Sequence, residues 1–432
     1  MIILGINCYH ANSSAALVVD GKLVFAIEEE RLNRIKNSGG FPNLSIEECL
    51  KKGKIKLSEV DFIATNSNPK KFLLKKLFFL LKNPPNIREL SLKSKNILNK
   101  LKINDELDKL KNLGNFNGKI IKIEHHLSHI ASSYHISNFD RACGVSVDGS
   151  GDFTTTSNSV CINGNIKMKD RIFYPHSLGI FYTALSNFLG FDLYGEEYKV
   201  MALGAYGNSS LDSKVEKLIQ IDNHGKFNLN LKYFLHHKNV NTFKIVNNDI
   251  VINKLLNESL VEDLLGFKKR NRNEELKTNH FNLAKSLQNL FEKAYFNYIN
   301  FTYDKFQIEN LCIAGGCAMN SLANGKILKQ TKFKDIFVQP AAYDAGGAIG
   351  AALECASQNK QKIFKEKNLK LYLGPNYSNK YIEEILKIKK NELSTEKVGI
   401  KFSNDDELIE ITTNLLKKKK IIGVFRDRLE WG

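Results

Sequence analysis

The run Glu124-His125-His126-Leu127-Ser128-His129 sets two imidazoles four residues apart. On a helix, His125 and His129 stand one turn apart on a single face, where both can reach one metal ion. Asp148, closing a strand run and opening Asp148-Gly149-Ser150-Gly151-Asp152, adds a hard oxygen donor to the same ion. Asp344, in Tyr343-Asp344-Ala345-Gly346-Gly347, is the candidate fourth ligand, and the set would leave coordination positions open to a substrate oxygen. A His-x-x-x-His pair alone equally describes a helix with surface or core-satisfied histidines; the nearby Asp-Gly-Ser-Gly run favours the ion. Two glycine-rich stretches, Gly315-Gly316-Cys317-Ala318-Met319-Asn320 and Asp344 to Gly350, each follow a strand run and precede a helical pattern. Backbone N–H groups at such places meet phosphate or ribose oxygens. Each stretch alone is equally a tight turn; two on adjacent units favour a nucleotide. Gly151, Gly315, Gly316, Asn320, Gly346 and Gly347 are therefore the candidate nucleotide contacts.

The elements that must position these residues read as α/β. Ile2 to Ile6, Ser14 to Asp20 and Lys22 to Ile27, with a turn at Asp20-Gly21, predict a hairpin at the start, followed by a helix over Glu28 to Ile35. Strand runs recur at Phe62–Ala64, Ile120–Ile123, Cys143–Val147, Ser159–Ile162, Leu311–Ala314 and Ile336–Val338, with helical patterns between them. The opening hairpin and the later Val145 to Gly151 strand and turn look like two copies of one module. By fold-level analogy, actin-like ATPases and sugar kinases duplicate a ribonuclease-H-like lobe in this way. Residues 66–118 read as a basic helical insertion, either a solvated hairpin or a cap over an acceptor site. Residues 226–280 are rich in Asn and Lys with little periodicity. The tail from about Leu371 predicts a new helix, then a strand over Ile421–Phe425, and stops in mid-pattern.

A chain of 432 residues suggests two or three lobes, and 43% hydrophobic with 25% charged residues excludes disorder as the main state. The formal charge of +17 suits nucleic acid, a membrane surface or phosphorylated substrates, but a Lys-, Asn- and Ile-rich composition of AT-rich coding gives the same excess. Seven scattered cysteines without a CxxC pair read as reduced thiols and point to the cytoplasm. The longest apolar stretch, Phe72 to Leu81, is interrupted by Lys75 and Lys76 and is too short to span a bilayer.

With these motifs in order, the chain resembles the NodU/CmcH/TobZ family of O-carbamoyltransferases. The likeness is carried by Gly5-Ile6-Asn7 with Tyr9-His10 and Asn12 to Ala16, by Glu28-Glu29-Glu30-Arg31 with Arg34-Ile35-Lys36 and Gly40-Phe41-Pro42, and by Glu124 to His129. It continues through Asp148 to Gly151, Ser177 to Tyr182, Lys199 to Leu203, and Gly315-Gly316 with Asn320. The resemblance implies an N-terminal lobe pair similar to TsaD-type threonylcarbamoyl transferases over residues 1–360, and over 371–432 the start of a YrdC-like domain, most of it absent. It implies carbamoyl-adenylate made from carbamoyl phosphate and ATP, then transfer to a hydroxyl of a sugar, glycan or secondary-metabolite acceptor. His125, His129, Asp148 and Asp344 would hold a divalent ion, Fe(II) by family precedent. His10 matches the family's proposed general base, and Lys36 a basic residue near the reacting carbamoyl or phosphate.

The family's run continues past Glu-Trp-Gly, where this sequence stops at Gly432, so the adenylate-forming step is expected to lie mostly outside it. Ala202-Leu203-Gly204 replaces the usual Gly-Leu, a mild change. A tRNA threonylcarbamoyl transferase shares the metal motif, but the Asp148-Gly149-Ser150-Gly151 and Glu28-Glu29-Glu30-Arg31 runs, with a YrdC-like start in the same chain, speak against it. A basic nucleotide-binding regulatory module is a second alternative. The lack of a basic platform interleaved with aromatics speaks against nucleic acid as partner. A homodimer is left open.

Overall fold

The computed structural model describes residues 1–84, 103–238, 243–246, 249–365, 372–395, 404–425 and 427–432. It comprises two compact units, Met1–Leu371 with Trp431–Gly432, and Tyr372–Glu430.

The first unit is built on two five-stranded sheets. β1 (Ile2–Asn7), β2 (Ser14–Val19) and β3 (Lys22–Glu28) form an antiparallel meander, and β4 (Phe62–Thr65) and β5 (Lys119–Lys122) extend it in parallel on the other side of β1, giving the order β3-β2-β1-β4-β5. Asp20 and Gly21 both take positive φ, as a tight hairpin turn needs. β6 (Arg141–Gly151), β7 (Thr154–Ile162) and β8 (Asn165–Phe173) repeat the meander. After the two-stranded ladders β9 (Ile219–Ile221) with β10 (Phe227–Leu229) and β11 (Phe243–Val246) with β12 (Asp249–Ile252), β13 (Asn310–Ala314) and β14 (Asp335–Val338) complete the order β14-β13-β6-β7-β8. β6, β13 and β14 run parallel. Three antiparallel strands followed by two parallel ones, twice over, is the duplicated ribonuclease-H-like arrangement of actin-like folds.

The helices that matter are α1 (Glu30–Asn33), α2 (Asn43–Gly53), α3 (Leu73–Lys82), α4 (His125–Tyr134), α5 (Leu178–Phe188), α6 (Glu197–Leu203), the long α7 (Thr278–Phe306) and α8 (Gly346–Gln358). α4 packs on β6, β7 and β13, whereas α8 packs on β1, β2 and β4, and the two helices lie against each other between the sheets. Their approach depends on Gly350, where a Cβ would sit 1.8 Å from the Ser128 carbonyl oxygen; Gly5 on β1 likewise admits α8 to the sheet, since a Cβ there would sit 2.0 Å from the Ala348 carbonyl oxygen. The second sheet carries the larger core, with Val145, Val147, Phe181, Phe188, Leu287, Phe291, Tyr295 and Ile313 fully buried. Each such side chain contributes about 1.5–3 kcal/mol, so this core outweighs the exposed ion pairs, worth about 0–1 kcal/mol each.

Several elements differ from the sequence reading. The helix expected over Glu28–Ile35 is one turn only: β3 runs through Glu28, and Arg34 at φ 64° ends the turn in the left-handed region. The segment 226–280 holds the ladders around Phe227 to Ile252 and a helix at Glu258–Leu265, strands too short for a period to show. Of the insertion at 66–118, α3 and a helix at Ile103–Asp108 are described, and 85–102 lie outside the described residues. In the second unit α9 (Asn379–Ile388) and α10 (Asp405–Lys417) are capped by Ser378 and Asn404. Ile421–Phe425 is not a strand: no described strand of this unit offers it a ladder, and Ile421, Val424 and Phe425 are exposed. All seven cysteines are buried free thiols, and no described helix is long and apolar enough to cross a membrane.

If the close approach of α4 and α8 holds the sheets together, Gly350→Ala should lower stability by roughly 3 kcal/mol through overpacking, read as an earlier urea midpoint. A shift below about 0.5 kcal/mol, the range of a neutral surface change, would show that the helices part at little cost.

Candidate metal centre

α4 begins where it does because Glu124 caps it. Its carboxylate accepts from the N–H groups of His126 (3.1 Å) and Leu127 (3.0 Å) and from Nη1 and Nη2 of Arg171. Asp152 accepts from His125 N at 3.0 Å and also from Ser67 Oγ and Asn68 N, tying the helix start to the loop after β4. The ring of His125 occupies the space left by Gly151, whose absent Cβ would lie 1.9 Å from His125 Cδ2. His125 Nδ1 stands 3.3 Å from the Asn66 carbonyl oxygen. A proton donated there leaves the Nε2 lone pair facing inward.

Four donor atoms converge on that side: those of His125, His129, Asp148 and Asp344 lie within 4.8 Å of one another, and all four residues are buried. His125 Nε2 is 3.1 Å from His129 Nε2 and from Asp148 Oδ2, and 3.4 Å from Asp344 Oδ1. His129 Nε2 is 3.5 Å from Asp344 Oδ1 and 3.7 Å from Asp148 Oδ2. An ion with ligand bonds of about 2.1 Å in tetrahedral geometry spaces its donors roughly 3.4 Å apart, so the residues fit a divalent cation. Asp148 Oδ1 is fixed by the Gly316 N–H at 2.9 Å. Burial opposes charge on every member, yet the mutual hydrogen bonds win: Asp148 and Asp344 are held below the usual carboxylate range, and His125 and His129 above the usual imidazole range.

The cluster opens into a cavity of about 510 Å³ that Asp148 and Asp344 both line. Lys36, Asn37 and Glu30 line it from the first lobe, and Gly149, Gly179, Glu197, Gly316 and Asn320 from the second. Tyr194, Tyr198, Met201, Ile252 and Leu255 make an apolar wall. His10 stands beside the cluster, its ring centroid 5.2 Å from that of His125 and its Nδ1 3.8 Å from Asp344 Oδ2. The sequence-derived metal ligands, His10 and Lys36 thus come together.

The glycines divide. Gly316 and Asn320 face the cavity, although the Gly316 N–H is engaged by Asp148 and the Asn320 amide by Gln288. Gly151, Gly315, Gly346 and Gly347 pack against protein atoms and are not among the residues lining the cavity. Gly315, at φ 93°, presses on the Val147 backbone, and its N–H donates to the Ala342 carbonyl. Gly346 and Gly347 press on Ala341 and Asn66, and their N–H groups donate to Tyr343 and Asp344 carbonyls. The glycine that does open on the cavity is Gly149, with Ser150 near the end of β6, beside the N-terminus of α5 at Gly179-Ile180.

Sequence reasoning assigned no role to Glu197, Asn66 or the Glu28–Tyr343 pair. Glu197 accepts from Thr183 Oγ1 at 2.6 Å, and burial raises its pKa. Glu28 accepts from Tyr343 Oη at 2.9 Å, anchoring the residue next to Asp344. Burial, then the Glu30 charge, pushes Glu28 up to about 7, against the pull of Tyr343 and Arg31. Glu197, two residues before Lys199-Val200-Met201, had a signal in the sequence; the others are joined only by the fold.

Fold and site together define a two-lobed actin-like protein in which two histidines and two aspartates form a cluster able to hold a metal ion at the mouth of an interlobe cavity. A family profile described as carbamoyltransferase N-terminus matches residues 2–353, and the chain belongs to that family of transferase enzymes. An uncharacterised protein of Synechocystis, sll1178, is 34% identical over 100% of this chain and 69% of its own length. Nodulation protein NolNO of Sinorhizobium fredii is 29% identical over 99% of this chain, which spans 57% of it. Nodulation protein NolO of Bradyrhizobium diazoefficiens is 27% identical over 72% of this chain and 51% of its own. Among solved structures, T. kodakarensis HypF aligns at TM-score 0.41 and 13% identity, over 83% of this chain and 48% of that one. The fold assignment rests on strand order, not on that alignment.

His125→Ala/His129→Ala should release a bound ion with the fold retained; one tightly held ion per chain in elemental analysis of the double variant would refute the centre. Gly151→Ala, at a residue that is no ligand, should weaken titrated metal binding about 10–100-fold by displacing the His125 ring. Unchanged affinity would give Gly151 another role. Glu28 titrates near 7 in the fold against 4.5 in a free carboxyl, so it disfavours the folded state increasingly as pH rises between those values. Relative to the native chain, Glu28→Gln should gain up to about 3 kcal/mol of stability from pH 5 to pH 8. A pH-independent difference in melting would contradict this.

Proposed function

We propose that this chain carries the transfer site of an O-carbamoyltransferase. It would move a carbamoyl group from carbamoyl phosphate, by way of carbamoyl-adenylate, to a hydroxyl of a sugar, glycan or secondary-metabolite acceptor. The observation that carries the reading is the four-donor cluster opening into the cavity. His125, His129, Asp148 and Asp344 would hold a divalent cation, Fe(II) by the family resemblance, whose positive charge would stabilise a phosphate oxygen.

The remaining work falls to residues of the chain. The positive end of α5 at Gly179-Ile180 and the exposed ammonium of Lys36 offer favourable charge to an adenylate phosphate in the cavity. The wall of Tyr194, Tyr198, Met201 and Leu255 suits a flat base and keeps water from it. His10 turns Nδ1 toward Asp344, which favours the tautomer with Nε2 as proton acceptor. In the transfer, the acceptor oxygen bonds to the carbamoyl carbon and its proton passes to His10 Nε2. The bond from that carbon to the phosphate oxygen breaks, and AMP leaves with the electron pair.

The test supplies synthetic carbamoyl-adenylate and a panel of hydroxylated sugars to the metal-loaded chain and follows AMP release and carbamoylated product by mass spectrometry. His10→Gln should lower kcat about 10²–10⁴-fold with KM little changed. A wild-type rate in that variant would remove His10 from the reaction, and absence of any carbamoylated product across the panel would count against the reading itself.

A further inference from the structure

Between Asp61 and Glu89 the sequence contains no acidic residue, while Lys70, Lys71, Lys75, Lys76 and Lys82 cluster around Leu73-Leu74-Lys75-Lys76-Leu77-Phe78-Phe79-Leu80-Leu81-Lys82. The ten residues Leu73–Lys82 form α3, and α3 has two apolar faces. One is anchored. The Phe79 ring packs edge-on against Phe153 and Tyr174, with centroids 5.6 and 5.3 Å apart, and Phe72, at the helix N-cap, packs against Phe173 at 5.2 Å. Lys75 Nζ lies 4.5 Å over the Phe173 ring, and Lys76 Nζ donates to the Pro69 carbonyl. These contacts fix the rotation of the helix about its axis.

The other face looks outward. Leu73, Leu74, Leu77, Phe78 and Leu81 fall at helical spacing on one side and are 59%, 74%, 55%, 64% and 71% exposed. Five large apolar side chains on one exposed strip exceed the scattered surface hydrophobes any protein carries. Their setting selects the partner: the cations beside the strip meet no carboxylate on the helix, so the complementary surface combines negative charge with an apolar interior. A helix of ten residues, about 15 Å long, is too short to cross a bilayer and suits one lying in its interface.

We propose that α3 is an interfacial helix that docks this protein on the surface of an anionic lipid bilayer. Leu73, Leu74, Leu77, Phe78 and Leu81 enter the acyl boundary, and Lys70, Lys71 and Lys82 meet the headgroups. The docked helix is mechanically joined to the metal centre, because Ser67 Oγ and Asn68 N in the loop leading to α3 donate to Asp152, which also accepts from His125 N.

The full chain should float with vesicles of phosphatidylcholine containing about one third phosphatidylglycerol, and much less with phosphatidylcholine alone, with binding weakened by salt. Leu74→Gln/Leu77→Gln/Phe78→Gln/Leu81→Gln changes only exposed side chains and should cut vesicle binding at least about tenfold while leaving metal binding and the melting temperature unchanged. Lys70→Gln/Lys71→Gln/Lys82→Gln should abolish the preference for anionic vesicles. Failure of the native chain to bind either vesicle, or equal binding by the four-site variant, overturns the proposal. So does a native dimer in sedimentation velocity that the four-site variant converts to monomer, since the strip would then face a second copy of this chain.

Discussion

The contact on which the rest depends is the approach of α4 and α8 at Gly350. With no side chain there, the backbone of α8 reaches the carbonyl of Ser128, and Ser128 sits between His125 and His129 on α4. The same packing sets where α8 starts, and Asp344 lies two residues before that start. A shift of either helix along the other by a fraction of an ångström would separate ligands that now stand 3.4–3.5 Å apart. Close-packed interiors resist such sliding because they have no free volume to yield.

Collecting two carboxylates and two imidazoles out of water costs several kcal/mol per ionised group unless each finds a partner. The surrounding structure supplies partners outside the cluster: the Asn66 carbonyl for His125, the Gly316 N–H for Asp148, and the Glu124–Arg171 pair and Asp152 for the backbone at the head of α4. Inside the cluster, His125 and His129 stand against Asp148 and Asp344. A divalent cation among four such donors would replace proton sharing with ligation.

The glycine-rich stretches show how a motif is ambiguous until its neighbours are known. Gly151 makes room for an imidazole, Gly315 for the Val147 backbone, and Gly346, Gly347 and Gly350 for the Ala341, Asn66 and Ser128 groups that α8 passes. Each permits close approach of protein to protein. Gly149, around which a Cβ would meet nothing within 4 Å, borders the open cavity.

Much of this was legible in the residues themselves. The two-residue hairpin at Asp20-Gly21, the strand runs and the four-residue spacing of His125 and His129 are local properties, governed by backbone sterics and helical periodicity, and they pointed to a duplicated α/β fold and a metal centre. Asp148 and Asp344 could be suggested from their strand-end and turn settings, yet 196 positions separate them, and only the pairing of β6 with β13 and the docking of α8 bring them to one point. The partnering of His125 with Asn66, of Glu28 with Tyr343, and the division of the glycines between packing and cavity were decided by tertiary contacts alone. Spacing along a chain specifies which side chains share a helix face or a strand end, whereas the meeting of residues from different sheets is set by how those sheets pack.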